Sequence, residues 1–371
     1  MKIAIIVSSN IVKDPRVVKE AEIAKSITDD YIVIGKYDEN ATKSRLSKLN
    51  FNYQLIKVKT GNTIISKALS RIRFGLKLIK AVKKYNPDVI HANDFDMLFF
   101  SYFFKKPNQI LIFDAHEIYA KNGMIAKSAL LSKLVEKAEK KMLSKVDHFI
   151  TVSHAAKTYY QSRKYPKEAT VITNVPIKKE ISVIEKSHNF QVLYQGIVSE
   201  GRGYEEFAQA AEFVDKNIEL VVRGYGPTMP EIENLKIKKQ LSNLLIEDPV
   251  EMDEMIRVAT SSHVGVVMTK PISANYEYTI SNKFFEYLHA GLPLILSPVK
   301  EHKYLNDKFH VGIIVDQVTP EAIAEAANKL YKDAQFYSTL KSNVQKASEQ
   351  LNWQKESEKL RQYYQGNNYE K

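Results

Sequence analysis

The sequence contains no cysteine. Disulfide scaffolds, cysteine-ligated zinc and iron–sulfur clusters are therefore excluded. It also lacks any long apolar run: none approaches the ~18 residues that a membrane-crossing helix needs. The stretch around SYFF, 97–104, falls far short. Acidic residues are scarce in the first half. Residues 1–180 carry 33 Lys+Arg against 17 Asp+Glu, and the remainder 21 against 26, so the excess behind the net charge of +11 lies wholly N-terminal. A basic half can meet nucleic acid, an anionic membrane or an anionic substrate. No RNA- or DNA-binding motif accompanies it, and its charges sit on helices interleaved with strands, so nucleic acid is not an expected partner. The opening residues, MKIAIIVSSNIVKDPRV, hold a short apolar run, but Asp14, Pro15 and Arg16 follow at once. They read as a buried first strand rather than a secretory leader.

What is present is alternation. The 371 residues exceed one ordinary core and suit two domains. Strand-like runs at 2–8, 31–35, 53–58, 88–92, 110–116, 148–153 and 171–174 are separated by helical runs at 15–28, 64–85 and 124–146. The polar, aperiodic stretch 175–190 reads as a linker. The pattern then restarts, with strands at 191–196, 218–224, 241–247, 263–268, 292–297 and 311–316. Helices are expected at 203–215, 251–260, 282–290, 320–333, 335–349 and from 353 to the end. Such alternation predicts α/β architecture with parallel sheets covered on both faces. The expected division is 1–180 and 187–350, two Rossmann-like doubly wound domains facing across a cleft. Ligands in such sheets bind beyond the carboxyl ends of the strands.

Three stretches there carry chemistry. In SNKFFEYLHAGLPLIL (281–296), Ser281 or Asn282 can cap a helix that Gly291 ends. The helix N-terminus suits a diphosphate, and Lys283 in the first turn makes sense beside a bound anion. Glu286, one turn on, can accept two ribose hydroxyls. In YQGIVSEGRGYEEF (194–207), Gly196 ends a strand and Arg202, between glycines, can pair with phosphate oxygens. In FDAHE (113–117), His116 ends a strand of the first domain, where it can bond sugar hydroxyls or assist proton transfer. Each stretch also has a plain reading: a capped surface helix, a flexible turn, a structural histidine.

These stretches, with DPRVVKEA (14–21), PDVIHAND (87–94), DHFITVS (147–153), VITNVP (171–176) and VVRGYGP (221–227), occur in one order. In that order the chain resembles glycosyltransferase family 4, of the GT-B fold, over essentially its whole length. The resemblance implies a nucleotide-sugar donor, a UDP-sugar favoured, in the C-terminal domain. It implies a glycan or lipid-linked acceptor in the N-terminal one, and a role in polysaccharide or glycolipid assembly. It implies transfer with retention, without metal ion or other cofactor, by a cytoplasmic enzyme peripheral to the membrane. Arg202 and Lys283 correspond to diphosphate-binding positions, Ser281–Lys283 to the diphosphate loop, Glu286 to the ribose ligand and His116 to the active-site histidine. Gly196 and Gly224 end the strands that flank the donor. The last helix, about 353–371, is expected to pack back on the first domain. Two positions depart from the pattern. Tyr278 stands where a second glutamate usually contacts the donor sugar, and Ile197 where an arginine often follows the strand-end glycine. A non-catalytic partner that binds nucleotide or stabilises an active transferase is the alternative. An epimerase or phosphorylase on the same fold lacks support from extra catalytic carboxylates.

Other signals carry less. Asp94-Phe95-Asp96 has the spacing of a metal-binding DxD but lies in the acceptor-side domain, and reads as incidental. Gly224-Tyr225-Gly226 is not a dinucleotide loop, since Met229 stands at the third glycine position and Pro227 and Pro230 would spoil a helix start. Segments 64–85 and 124–146 carry apolar stripes expected to pack on the sheet: Ile65, Leu69, Ile72, Leu76 and Ile79, then Leu131, Leu134, Ala138 and Met142. Their lysines and arginines are either simply solvated or meet an anionic membrane, at about 1 kcal/mol for each basic group.

Overall fold

The structure, a computed structural model, describes residues 1–12, 14–37, 46, 49–59, 61, 63–272 and 274–366. The end of the expected last helix, 367–371, lies outside the described residues. Two compact units emerge: one is Met1–Thr173 with the chain from Glu356 onward, the other Asn174–Lys355.

The first unit is built on β1 (Ile3–Ile6), β2 (Tyr31–Lys36), β3 (Tyr53–Ile56), β4 (Val89–Asn93), β5 (Ile110–Ala115), β6 (His148–Thr151) and β7 (Ala169–Val171). They form a wholly parallel sheet in the order β3-β2-β1-β4-β5-β6-β7. The helices are α1 (Pro15–Ile27), α2 (Ile64–Tyr85), α3 (Asp94–Phe104), α4 (Gly123–Ala126), α5 (Ala129–Met142) and α6 (His154–Ser162). Parallel crossovers are right-handed. The order runs one way from β1 to β3 and the other from β3 to β7, so α1 covers one face and α2, α3 and α5 the other. The direction reverses between β1 and β4, which is where such a sheet opens for a ligand.

The second unit repeats the plan with β8 (Phe190–Ile197), β9 (Ile218–Tyr225), β10 (Leu244–Glu247), β11 (Val264–Val267), β12 (Leu294–Leu296) and β13 (Gly312–Ile314). Their order is β10-β9-β8-β11-β12-β13, again parallel, with the reversal between β8 and β11. Its helices are α7 (Tyr204–Gln209), α8 (Met229–Lys239), α9 (Met255–Ala259), α10 (Ala274–Tyr278), α11 (Asn282–His289), α12 (Lys300–Phe309), α13 (Pro320–Lys332) and α14 (Ala334–Gln350). Val192, Leu220, Val264 and Ile295 of the sheet are buried with Phe207, Ile323 and Leu340 of the helices. From Glu356 onward the last helix, α15 (Trp353–Tyr364), belongs to the first unit. There Tyr364 Oη lies 2.7 Å from His91 Nδ1, the Tyr363 ring stacks on His148, and Arg361 donates to Ser26 Oγ at 2.8 Å.

Four local expectations are corrected. The helix expected over 124–146 is broken, because Ser128 leaves helical geometry and caps α5 by accepting from Leu131 N at 3.3 Å. Residues 229–239 are helical despite Pro230, which stands in the first turn where the lost N–H has no intrahelical partner. The stripe Ile65, Leu69, Ile72 and Leu76 is exposed rather than packed on the sheet; α2 turns Phe74, Leu78 and Val82 inward instead. Leu131 and Leu134 of α5 are likewise exposed, while Met142 is buried. A helix with two apolar stripes cannot press both against one sheet, and β-branching or size does not reveal which one wins.

Candidate functional site

Beside the reversal point of the second sheet, β8 and β9 each carry a glycine one residue before their end, and the two pair across the ladder, Gly196 with Gly224. Gly196 has φ +117°, and a Cβ there would stand 2.8 Å from Lys283 Cε. At Gly224, φ +154°, a Cβ would stand 1.9 Å from the Gly196 carbonyl oxygen. Only glycine lets both strand ends and the Lys283 side chain come this close. Burial pulls the Lys283 pKa down to about 8, Arg202 pushes the same way, and Glu286 opposes both. Two cations and a carboxylate thus share one spot beyond the strand ends.

Buried tyrosines hold that spot rigid. Tyr194 and Tyr204 stack at 3.8 Å. Tyr194 Oη donates to the Met268 carbonyl at 2.9 Å and also meets the Arg202 carbonyl. Tyr204 Oη donates to the Gln195 carbonyl at 3.2 Å, and Gln195 N donates to Tyr287 Oη at 2.8 Å. The Arg202 guanidinium lies 4.5 Å over the Tyr276 ring, which keeps its edge free to form paired bonds with an oxyanion. Ser281 occupies the cap position of α11, but its side chain makes no capping bond, contrary to expectation. The first-turn amides of α11 are therefore not sealed by it, and the helix end favours an anion. Asn282 is exposed and accepts from Asn174 Nδ2 at 3.3 Å. Tyr278 belongs to a neighbouring group: Lys300 Nζ donates to its hydroxyl at 2.5 Å, lies 4.0 Å over its ring and stands 3.2 Å from Glu277.

His116 lies in the first unit, directly after β5. Its Nδ1 is 3.7 Å from Asp94 Oδ2 and its Nε2 3.7 Å from Asp114 Oδ2. Burial works against its charge, but Asp94 and then Asp114 outweigh that and lift its pKa to about 10. It is an imidazolium at neutral pH, a donor rather than a base. Asp94, read from the sequence as incidental, has φ +68° at the end of β4, a strained conformation for a side-chain-bearing residue. Burial raises Asp94, with His116 opposing. Beneath them Arg16 donates from Nε and Nη2 to Asp114 Oδ2 at 2.8 and 2.5 Å, and stands 3.2 Å from Glu20. Burial alone would raise Asp114; Arg16, then His116, hold it well below the usual carboxylate range. Glu20, His91 and Asp114 bring ligand-type atoms within 4.8 Å of one another. Arg16 pairs with both carboxylates of that cluster.

Of the residues singled out by sequence, Gly196, Gly224, Arg202, Lys283 and Glu286 share one site, with Ser281 and Asn282 at the start of α11. Tyr278 pairs with Lys300, and His116 stands in the other unit. Tyr276 and the tyrosine stack were missed, because aromatic residues in a motif read as core. Asp94 and Asp114 were missed as partners of His116, although Asp94 follows β4 directly and Asp114 pairs with that strand's last residue, Asn93.

The Glycosyltransferase Family 4 profile matches residues 40–175, and the Glycosyl transferases group 1 profile residues 189–333, together most of the chain. No curated protein sequence matches. Among solved structures, Anabaena HepE in complex with UDP and glucose is 14% identical, with a TM-score of 0.77 over 99% of this chain and 100% of that one. Sucrose-phosphate synthase from Thermosynechococcus elongatus is 17% identical, TM-score 0.78, over 99% and 98%. WaaG, a glycosyltransferase involved in lipopolysaccharide biosynthesis, is 12% identical, TM-score 0.68, over 98% and 100%. The fold is that of these proteins and both profiles are glycosyltransferase profiles: the chain is a GT-B glycosyltransferase, matching the Family 4 profile in its first half and the group 1 profile in its second.

Proposed function

We propose that the protein transfers a hexosyl group from a UDP-sugar to a glycan or lipid-linked acceptor, with retention and without a metal ion. The observation that carries this is the Arg202–Lys283–Glu286 group beside the Gly196/Gly224 pair, at the reversal point of the second sheet. Arg202, Lys283 and the α11 N-terminus meet the diphosphate, and Glu286 accepts the ribose hydroxyls. Charge builds on the diphosphate as it leaves, and preorganised cations stabilise it there most. The bond from the anomeric carbon to the β-phosphate oxygen breaks, and a bond to the acceptor oxygen forms on the same face. The acceptor's proton passes to the departing phosphate, leaving UDP and the glycoside. His116, charged at neutral pH, donates to a sugar or acceptor oxygen rather than removing that proton. The Anabaena HepE complex with UDP and glucose supports the choice of base. A lipid-linked acceptor would put the enzyme at the cytoplasmic face of an anionic membrane, peripherally; no helix among the described residues is long and apolar enough to cross one.

Tyr278, held by Lys300 where a donor-contacting glutamate is usual, favours a second reading: a partner that binds nucleotide without turnover. Calorimetry with UDP, GDP and ADP tests the first. UDP should bind, and Glu286→Ala and Arg202→Ala should each weaken it at least about tenfold, as expected for lost charge-assisted bonds. No binding of any of the three at millimolar concentration would sink the donor site. Binding without turnover on every glycan and lipid-linked acceptor tried would bring the second reading forward.

A further inference from the structure

One helix layer of the first unit is apolar on its outer side as well as its inner side. There α3 lies between α2 and α5. The Phe100 ring of α3 fills the space over Gly75 of α2, and Lys145, just past α5, donates to the Tyr102 carbonyl of α3 at 2.9 Å. Right-handed crossovers put all three on the same face of the sheet. Their inward sides are filled by residues such as Leu78 and Met97, both 0% exposed. Their outward sides still carry large apolar groups: Ile65 is 74% exposed, Leu76 64%, Phe103 66% and Leu130 69%. Along α2 the exposed apolar positions recur every three to four residues, which makes a stripe. Contiguous apolar surface of this kind marks an interaction site.

The charge beside it selects the partner. Helix α2 contains Lys67, Arg71, Arg73, Lys77, Lys80, Lys83 and Lys84 and no acidic residue. On α5, Lys133, Lys137 and Lys141 are exposed. A second copy of the chain would set these cations against themselves. A bilayer with anionic headgroups satisfies both features at once: apolar side chains enter at the acyl boundary while lysine and arginine heads meet phosphates. We propose that the α2–α3–α5 face inserts into an anionic bilayer, rather than hovering over it by charge alone. The proposal rests on the lipid-linked acceptor for its purpose, since docking would bring that acceptor to the first unit.

Co-sedimentation of the full chain tests it, with vesicles of phosphatidylcholine alone and of phosphatidylcholine mixed with phosphatidylglycerol, at low and high salt. Wild type should prefer the mixed vesicles and keep part of its binding at high salt. Phe103→Glu and Leu130→Glu should each weaken binding about tenfold or more at both salts, the size expected for removing one large buried apolar side chain. Their thermal melting should be unchanged, because both positions lie in solvent. The double charge reversal Lys77→Glu, Lys80→Glu should weaken binding chiefly at low salt. Glutamate variants that bind like wild type would overturn the proposal, as would equal binding to both vesicle types. So would a chain that ignores vesicles but self-associates until Phe103→Glu makes it monomeric, since the face would then belong to a second copy. UDP calorimetry on the wild type keeps the two readings apart. UDP binding without vesicle binding overturns docking alone; vesicle binding without UDP binding overturns the donor site alone.

Discussion

Lys283 sits where burial, and then Arg202, work against its charge, so its pKa falls from 10.5 to about 8. Between those values the unfolded chain holds a proton that the folded chain has lost, and stability rises with pH across that window. Below it the buried ammonium costs stability, offset only in part by Glu286. A diphosphate reverses the sign, because it favours the ammonium form. Lys283→Gln should therefore leave the melting temperature at neutral pH unchanged or raised, while weakening UDP binding about tenfold or more, the loss expected for a charge-assisted bond. Thermal melts and calorimetry on the one variant read both effects. A variant that melts lower yet binds UDP as wild type does would show that Lys283 is structural. His116 differs in kind: its partners are built into the protein, and its charge is present whether or not a ligand is. Its raised pKa contributes stability below about pH 6.5 that is lost as pH rises through about 10.

At the scale of elements, α15 completes a unit whose other elements all precede Thr173. Tyr364 is fully buried against His91, and no local sequence signal marks it. Tyr364→Ala should destabilise the first unit by about 3–5 kcal/mol, as removal of a buried ring does. Tyr364→Phe should cost about 1–3 kcal/mol, through the unpaired His91 nitrogen. Urea unfolding of both variants checks the order; equal values would mean that the hydroxyl contributes nothing. The strand–helix alternation is legible in the sequence because buried parallel strands need unbroken apolar runs. Arg202, Lys283 and Glu286 are legible because their motifs are local, a glycine-flanked loop and one helix turn. Tyr276 under Arg202 and Asp94 beside His116 are not, since their partners are brought in by the fold. The choice of inward stripe on α2 is hidden for the same reason: 74/78/82 and 65/69/72/76 have equal helical periodicity, and only the crossing of the sheet decides between them.

For the whole molecule, each unit has its own parallel sheet and helical layers, so heating should reveal two calorimetric transitions. The proposed donor site, Arg202, Lys283 and Glu286 beside Gly196 and Gly224, lies within the second unit. UDP at about a hundred times its Kd should add about 2.7 kcal/mol to that unit alone, a rise of roughly 5–10 °C for a domain of this size. Tyr364→Ala should lower the other transition, and Arg202→Ala should abolish the UDP shift without moving the Tyr364 effect. Charge makes this a demanding test. The excess of basic side chains lies in residues 1–180, and a trianionic nucleotide is drawn to that surface whether or not a site is there. Salt separates the two cases. Exposed lysines are screened over about 8 Å at physiological ionic strength, whereas a half-buried cation pair beside a helix N-terminus is screened much less. A UDP shift that persists at high salt and follows the second unit's transition belongs to the Arg202–Lys283 site. One that fades with salt, or follows the transition lowered by Tyr364→Ala, would assign the nucleotide to the basic surface of the first unit and remove the donor site from where Gly196 and Gly224 make room for it.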